Sequence, residues 1–350
     1  MAHVNANVET SQLWQLLEAV AGQASTRGLF NMIEVDDTLL TAAVRPATVP
    51  RVVLAQAMNM LLFAKNLEAV PEGKTYVTAK LAEGGKVVFD HGALRTVTAA
   101  DTGALPMGEQ AFKRFLEPLG FAVAGVYPLP RLKMTGRAYC HQDAPEVVAQ
   151  FFVSELHADQ FSPAFQAAAN EVLGSSRDPL SERAKELLTK LADARAQPFA
   201  EAVELLPELV GCFDVQHATP RLAAYQTLLE ESAEMAWIAT EGNAFNHATD
   251  HVEDVFAVAD ALRAQGLPIK DKVEVSAAGS VRQTAFKATR VEREFIAADG
   301  TRVTRVVPGS FYEFITRDRI VDPASGESKL DLRFDSSNAQ GIFKMTAAAC

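Results

Sequence analysis

The hydrophobic positions of the chain change period several times, and each change marks a new element. In "SQLWQLLEAVAGQA", residues 11–24, Leu13, Leu16, Leu17 and Val20 recur at helical spacing and predict one apolar face. "RVVLAQAMNMLLFAKNLEAV" follows Pro50 and predicts a second, mostly buried helix. The first 80 residues therefore read as a helical region. "KVVFDHGALRTVTA" then predicts a strand, and "GEQAFKRFLEPLG" an amphipathic helix closed by Gly120. Three more strands follow in "FAVAGVYPL", "KMTGRAYCHQ" and "EVVAQFFVSEL", giving the order β-α-β-β-β.

Residues from 160 to about 240 return to helical spacing; "SERAKELLTKLADARA" opens on Ser181 and carries Leu187, Leu188 and Leu191 on one stripe. This stretch reads as an insertion that packs and covers, without chemistry of its own. The earlier pattern then recurs. "FNHATDHV" predicts a strand, "EDVFAVADALRAQG" a helix ending at Gly266, and "DKVEVSAAGSVRQTAFKAT" an extended segment. "REFIAADGTRVTRVV" predicts a hairpin around Asp299-Gly300, and "GSFYEFITRD" a last strand. Two copies of one β-α-β-β-β module, about 86–157 and 244–318, account for this repetition. The expected organisation is an N-terminal helical region (1–80), a first module (81–159), a helical insertion (160–242), a second module (243–320) and a C-terminal tail (321–350). The expected fold is α+β, with the paired modules forming a curved, half-open barrel-like sheet.

Polar residues on this frame suggest a metal site. His91 lies on the first strand of one module and His247 on the first strand of the other. Glu155 and Glu313 lie on the two last strands, 64 residues after His91 and 66 after His247. Two histidines and one of these carboxylates on the inner face of a half-barrel would leave coordination positions open. Such a donor set suits non-haem Fe(II) and O2 chemistry, and also holds Zn, Mn or Ni. His251 follows His247 by four residues, about 13 Å along a strand, too far to share an ion. It reads as a supporting or structural residue, as do His141, His157 and His217, with His3 in a terminal tail. "EGGK" at 83–86 lacks the flanking residues of a P-loop, and "QHATP" at 216–220 echoes "NHATD" by chance.

Composition narrows the partners. The 350 residues include 48% hydrophobic and 22% charged positions, as in ordinary globular proteins. The net charge of -11, from 33 Lys+Arg against 44 Asp+Glu, disfavours nucleic acid and anionic membranes. An acidic small molecule would need a local cation in its pocket. Cys140, Cys212 and Cys350 are too few and too scattered for a disulfide framework or a zinc-thiolate site. The opening "MAHVNANVET" has no basic stretch followed by an apolar one, and no apolar run is long enough for a bilayer, so the cytoplasm is expected.

"DHGALR", "NHATDHV", "RQTAFKA" and the glutamate of "SFYEFITRD" together resemble the 2-oxoadipate dioxygenase/decarboxylase (hydroxyglutarate synthase) family, related in fold to the vicinal-oxygen-chelate superfamily. The resemblance covers about residues 85–320, with 156 residues from His91 to His247 and 66 more to Glu313. It implies Fe(II) held by His91, His247 and Glu313, which favours Glu313 over Glu155. It implies that Arg95, four residues from His91 and on the same strand face, binds the distal carboxylate of a 2-oxo dicarboxylic acid. Gln283 and Lys287 match as well, Gln283 as a hydrogen-bond partner of the oxo acid and Lys287 as a possible fold residue. The implied reaction is 2-oxoadipate plus O2 giving 2-hydroxyglutarate and CO2, a step suited to lysine breakdown. Better-known members carry a further C-terminal region that contributes to the pocket, whereas this chain ends at Cys350, leaving the length of the acid open. Two other readings of the same residues are a non-oxidative lyase, isomerase or hydrolase using Zn or Mn, and a non-catalytic carboxylate-binding protein.

Overall fold

A computed structural model describes residues 8–40, 48–322 and 326–335. His3 and the "MTAAAC" stretch with Cys350 lie outside the described residues. Several helices begin at polar caps. Ser11 accepts a hydrogen bond from the Trp14 amide at 3.1 Å and opens α1 (Gln12–Ala21), which is followed by α2 (Gln23–Met32). Pro50 precedes α3 (Arg51–Ala69), and α4 (Pro71–Ala82) completes the N-terminal helices. Alpha-helix α3 is buried over most of its surface, the polar residues Gln56, Asn59 and Asn66 included.

The first module follows in the expected order: β1 (Phe89–Thr98), α5 (Gln110–Leu116), β2 (Phe121–Leu129), β3 (Met134–His141) and β4 (Gln150–His157). The insertion supplies α6 (Pro163–Leu173), α7 (Glu182–Ala194), α8 (Phe199–Gly211), α9 (Leu222–Glu231) and α10 (Ala233–Glu241). The second module is β5 (His247–His251), α11 (Val255–Ala264), β6 (Glu274–Val275), β7 (Val281–Ala285), a hairpin β8–β9 (Arg290–Ile296 and Arg302–Pro308) and β10 (Phe311–Arg317). The segment read from sequence as one extended run, 271–289, is broken: the chain reverses between β6 and β7 through Gly279 at φ +75°. The β8–β9 hairpin forms a two-stranded sheet of its own, so it is an insertion into the second module rather than part of the eight-stranded sheet.

Eight strands form one sheet in the order β2-β3-β4-β1-β5-β10-β7-β6. Within each half the last strand runs parallel to the first, β1 with β4 and β5 with β10, and the halves join through the antiparallel pair β1–β5. Both faces are covered. One apolar layer holds the outward residues Leu94, Phe151, Val153 and Phe314 against α1, α3, α5, α7, α8 and α11. The other fills the cup, where Ala93, Val97, Phe152 and Leu156 meet α6, α9, α10 and the hairpin. The insertion is thus divided between the two faces. Burial on both sides explains why β1 is buried almost without alternation. No helix among the described residues is long and apolar enough to cross a membrane.

Gly92 shows how tightly the outer layer meets β1. A Cβ there would fall 2.2 Å from the Phe245 ring. Gly92→Ala is expected to destabilise the protein by about 1–3 kcal/mol through overpacking. Thermal unfolding checks this, and an unchanged midpoint would refute it.

Candidate metal centre

Strand register carries the site. His91 on β1 is paired with Thr249 on β5, and Thr249 is paired with Glu313 on β10. Paired residues project from the same face, so His91 and Glu313 flank Thr249 at one level inside the cup. His247 lies two residues before Thr249, on that same face. One ligand atom from each of His91, His247 and Glu313 falls within 4.8 Å of the others. All three side chains are buried, at 2%, 4% and 0% exposure. The imidazole rings of His91 and His247 meet edge to face at 5.5 Å.

The polar bookkeeping of this cluster is incomplete in a particular way. His247 Nε2 lies 3.0 Å from Glu313 Oε2. Yet neither Glu313 oxygen accepts a hydrogen bond of proper geometry, and His247 Nδ1 has no partner. A buried carboxylate without donors is costly. Burial lowers the pKa of His247 and outweighs the attraction of Glu313, which favours a neutral imidazole with lone pairs to give. Burial of Glu313 works against its charge; the imidazoles of His247 and His91 and the ammonium of Lys270 work for it and prevail. Neutral histidines and an ionised carboxylate are the protonation states in which these groups ligate a metal. A divalent cation would supply what Glu313 lacks, and three donors from one side of the cup leave positions open.

Around the cluster lie residues that sequence reading missed. Asp90 Oδ1 accepts from His91 Nδ1 at 2.6 Å, and Thr249 Oγ1 lies 3.2 Å from His91 Nε2. Arg317 grips Asp90 through two hydrogen bonds, at 2.8 and 2.9 Å. Phe334 places its ring edge-on to His91 at 4.9 Å. Only the Asp-His dipeptide hinted at any of this.

Arg95 projects from the same face of β1 as His91, opposite Ser154 of β4. It is fully buried, with its guanidinium 4.8 Å from the Trp237 ring centre. Burial pulls its pKa down to about 10 against the raising effect of Glu234, so it stays cationic at neutral pH. Trp237 and Glu234 both belong to α10, which sequence reading had assigned to a covering segment without chemistry. Gln283 is buried on β7, one pleat from Ala285, the residue paired with Glu313, and so shares its face. Lys287 is exposed, beyond the end of β7.

Glu155 lies elsewhere, and register gives the reason. His91 is paired with Gln150 and His247 with Phe311, so Glu155 sits five residues past its level and Glu313 only two. Their near-equal spacing from the histidines hides a difference in parity, which turns Glu155 to the outer face. There it accepts from the Glu109 amide at 2.7 Å and pairs with Arg137 at 3.2 Å. His141, His157 and His217 bond to Leu119, to Thr98 and Thr135, and to Ala218 and Ile238, all outside the metal cluster. His251 ends β5 and is not in the cluster either.

The chain was compared with known proteins. It is 54% identical to a Ralstonia eutropha JMP134 protein assigned to the glyoxalase superfamily, with a TM-score of 0.88 over 93% of this chain and 98% of that one. A hydroxyglutarate synthase of Oryza sativa, solved in complex with 2-oxoadipate, shares the fold at a TM-score of 0.64 and 20% identity, over 88% of this chain and 98% of that one. A chloroplastic 2-oxoadipate dioxygenase/decarboxylase of Arabidopsis thaliana is 24% identical over 290 residues, 75% of this chain and 68% of its own length. The model of the 2-oxoadipate dioxygenase/decarboxylase family matches residues 50–344, most of the chain and all of the cluster, and the protein belongs to that family.

Proposed function

We propose that the protein is a mononuclear non-haem Fe(II) enzyme that converts 2-oxoadipate and O2 to 2-hydroxyglutarate and CO2. The observation that carries this reading is the buried His91–His247–Glu313 cluster, with its unsatisfied carboxylate, on the same sheet face as the buried cation of Arg95. His91, His247 and Glu313 would hold the metal. An Fe(II) ion there supplies open positions for a 2-oxo carboxylate and O2 together, and the two electrons released with CO2 come from the substrate itself.

The remaining work belongs to the chain. Arg95 fixes the distal carboxylate, and its four-residue separation from His91, about 13 Å of strand, matches a bound dicarboxylate spanning metal and guanidinium. A guanidinium suits this task because its fork meets a carboxylate bidentately. Trp237 sets the plane of that fork. Gln283 donates or accepts a hydrogen bond at the oxo-acid end from β7. The apolar lining of the cup, including Phe152 and Phe311, keeps water from the reacting carbon. Atoms balance without a cosubstrate: both oxygens of O2 end in 2-hydroxyglutarate, one in the carboxylate formed from the keto carbon and one in the new hydroxyl, while CO2 leaves with the oxygens of the original carboxylate. The partners are then the oxo acid and O2, and the step suits lysine breakdown. We place the enzyme in the cytoplasm, where the free thiols of Cys140 and Cys212 are stable.

Oxygen consumption by Fe(II)-loaded protein given 2-oxoadipate tests the reading. Uptake matched by equal CO2 release is expected. Uptake with a different 2-oxo acid only would move the substrate and keep the chemistry. Iron-loaded protein that consumes no oxygen with any 2-oxo acid would overturn the proposal and favour a non-oxidative metalloenzyme with Zn or Mn on the same donors.

A further inference from the structure

The half-barrel has a gap between its edge strands, and one segment crosses it. Ser328–Leu330 pairs with Arg319–Val321, and residues 331–335 continue across the cup. On one side the Phe334 amide donates to the Tyr127 hydroxyl of β2 at 3.1 Å. On the other, Ser280 donates to Asp331 at 2.6 Å and the Ala277 amide to Asp335 at 2.9 Å, both from the turn between β6 and β7. Between them Gln150, beside His91 in the sheet, donates to the Leu332 carbonyl at 3.2 Å. This strap thus bridges β2 and the turn after β6, the two ends of the sheet.

The strap is also wired to His91. Arg317, fully buried, divides its donors: Nε and Nη2 hold Asp90, and Nη1 donates to the carbonyls of Asp331 and Arg333 at 2.8 and 2.9 Å. Phe334 lies over the Arg317 guanidinium at 5.0 Å and against the His91 ring at 4.9 Å. Asp90 accepts a hydrogen bond from the Nδ1–H of His91, which leaves Nε2 as the lone-pair donor facing the cluster. If the strap leaves, Arg317 loses two acceptors, Asp90 loses the anchor of its counter-ion, and the His91 ring loses the edge contact that orients it.

We propose that Asp90 and Arg317 are positioning residues through which closure of the strap sets the His91 ring, so that metal binding and strap closure strengthen each other. The inference rests on His91 being a metal ligand. Linkage makes the effect reciprocal: the factor by which closure tightens metal binding equals the factor by which metal holds the strap shut.

The test measures Co(II) affinity by chelator competition, together with amide hydrogen exchange of residues 331–335 with and without metal. The chains compared are wild type, Asp90→Asn, Arg317→Met and Arg317→Lys. Asp90→Asn and Arg317→Met are expected to bind about 10- to 100-fold more weakly, as changes to partners of metal ligands do. Arg317→Lys should recover part of the loss. Metal should slow exchange of the strap in wild type and not in Arg317→Met, a response that general loss of stability would not produce. Wild type that binds no metal would sink the ligand reading itself. Wild-type affinity in both Asp90→Asn and Arg317→Met would overturn the relay alone. Should those variants fail to fold, strap amides that exchange equally fast in metal-free and metal-bound wild type overturn the coupling.

Discussion

Glu313→Gln is expected to lose metal binding and turnover together, and to make the metal-free protein less stable at neutral pH. The substitution keeps the shape of the side chain and removes its charge. In the native chain that charge is fully buried, but the imidazoles of His247 and His91 and the ammonium of Lys270 hold its pKa below the usual carboxylate range. A carboxylate whose pKa is lower in the folded chain contributes stability above its unfolded pKa and loses it as the pH falls through the folded one. The neutral amide forgoes that contribution, so the melting temperature of the metal-free variant should fall at neutral pH and approach that of wild type in acid. The same change removes the only anionic donor of the three-residue cluster, so affinity should fall by more than the roughly 10- to 100-fold typical of outer-shell changes. His247→Ala and His91→Ala should lose affinity similarly. Metal titration followed by thermal melting reads both effects, because a ligand that binds only the folded state raises its melting temperature. A Glu313→Gln protein that binds metal as tightly as wild type would show that Glu313 serves the fold rather than an ion.

What the sequence made legible follows from what local pattern can encode. Apolar runs bounded by turn residues placed β1, β2 to β4, β5 and β10, and helical spacing placed α5 and α11, because both patterns are local to the segment. The two histidines stood out because they sit on corresponding strands of a repeat. The choice between Glu155 and Glu313 was not legible from spacing, because it depends on strand register and parity: a single odd step turns Glu155 out towards Glu109 and Arg137. Resemblance, not geometry, favoured Glu313 at that stage. The division of the insertion between two faces was hidden as well. Helical spacing in α10 says that it is buried, but not that Trp237 and Glu234 meet Arg95. Asp90 and Arg317 are 227 residues apart, and no local signal joins them. The separate β8–β9 hairpin was read correctly as a hairpin and wrongly as a sheet member, since turn chemistry at Asp299-Gly300 sets the reversal and says nothing about the neighbour.

On the proposed reading, Arg95→Met should make the protein indifferent to the distal carboxylate and leave metal binding unchanged. Methionine spans a similar length and packs beside Trp237, so the cavity stays filled. What is lost is a buried guanidinium that burial and Glu234 together leave charged at neutral pH. Removing one partner of a buried charge pair costs about 2–5 kcal/mol, which is roughly 30- to 5,000-fold in kcat/KM for 2-oxoadipate. For 2-oxohexanoate, which ends in a methyl group where 2-oxoadipate has its second carboxylate, the same variant should lose nothing and gain modestly, because the apolar end then meets an apolar side chain rather than a buried cation. The ratio of the two kcat/KM values therefore falls by the full factor, while metal affinity stays at the wild-type value. Glu234, nearly buried beside this cation, loses a neighbouring positive charge in Arg95→Met, so Arg95→Met/Glu234→Gln serves as the control that separates substrate recognition from disturbance of α10. If Arg95→Met lowers kcat/KM equally for both acids, Arg95 shapes the cup without reading the substrate, and the distal carboxylate must be bound by another group. If metal affinity falls as well, Arg95 acts on the cluster and not at the far end of the acid.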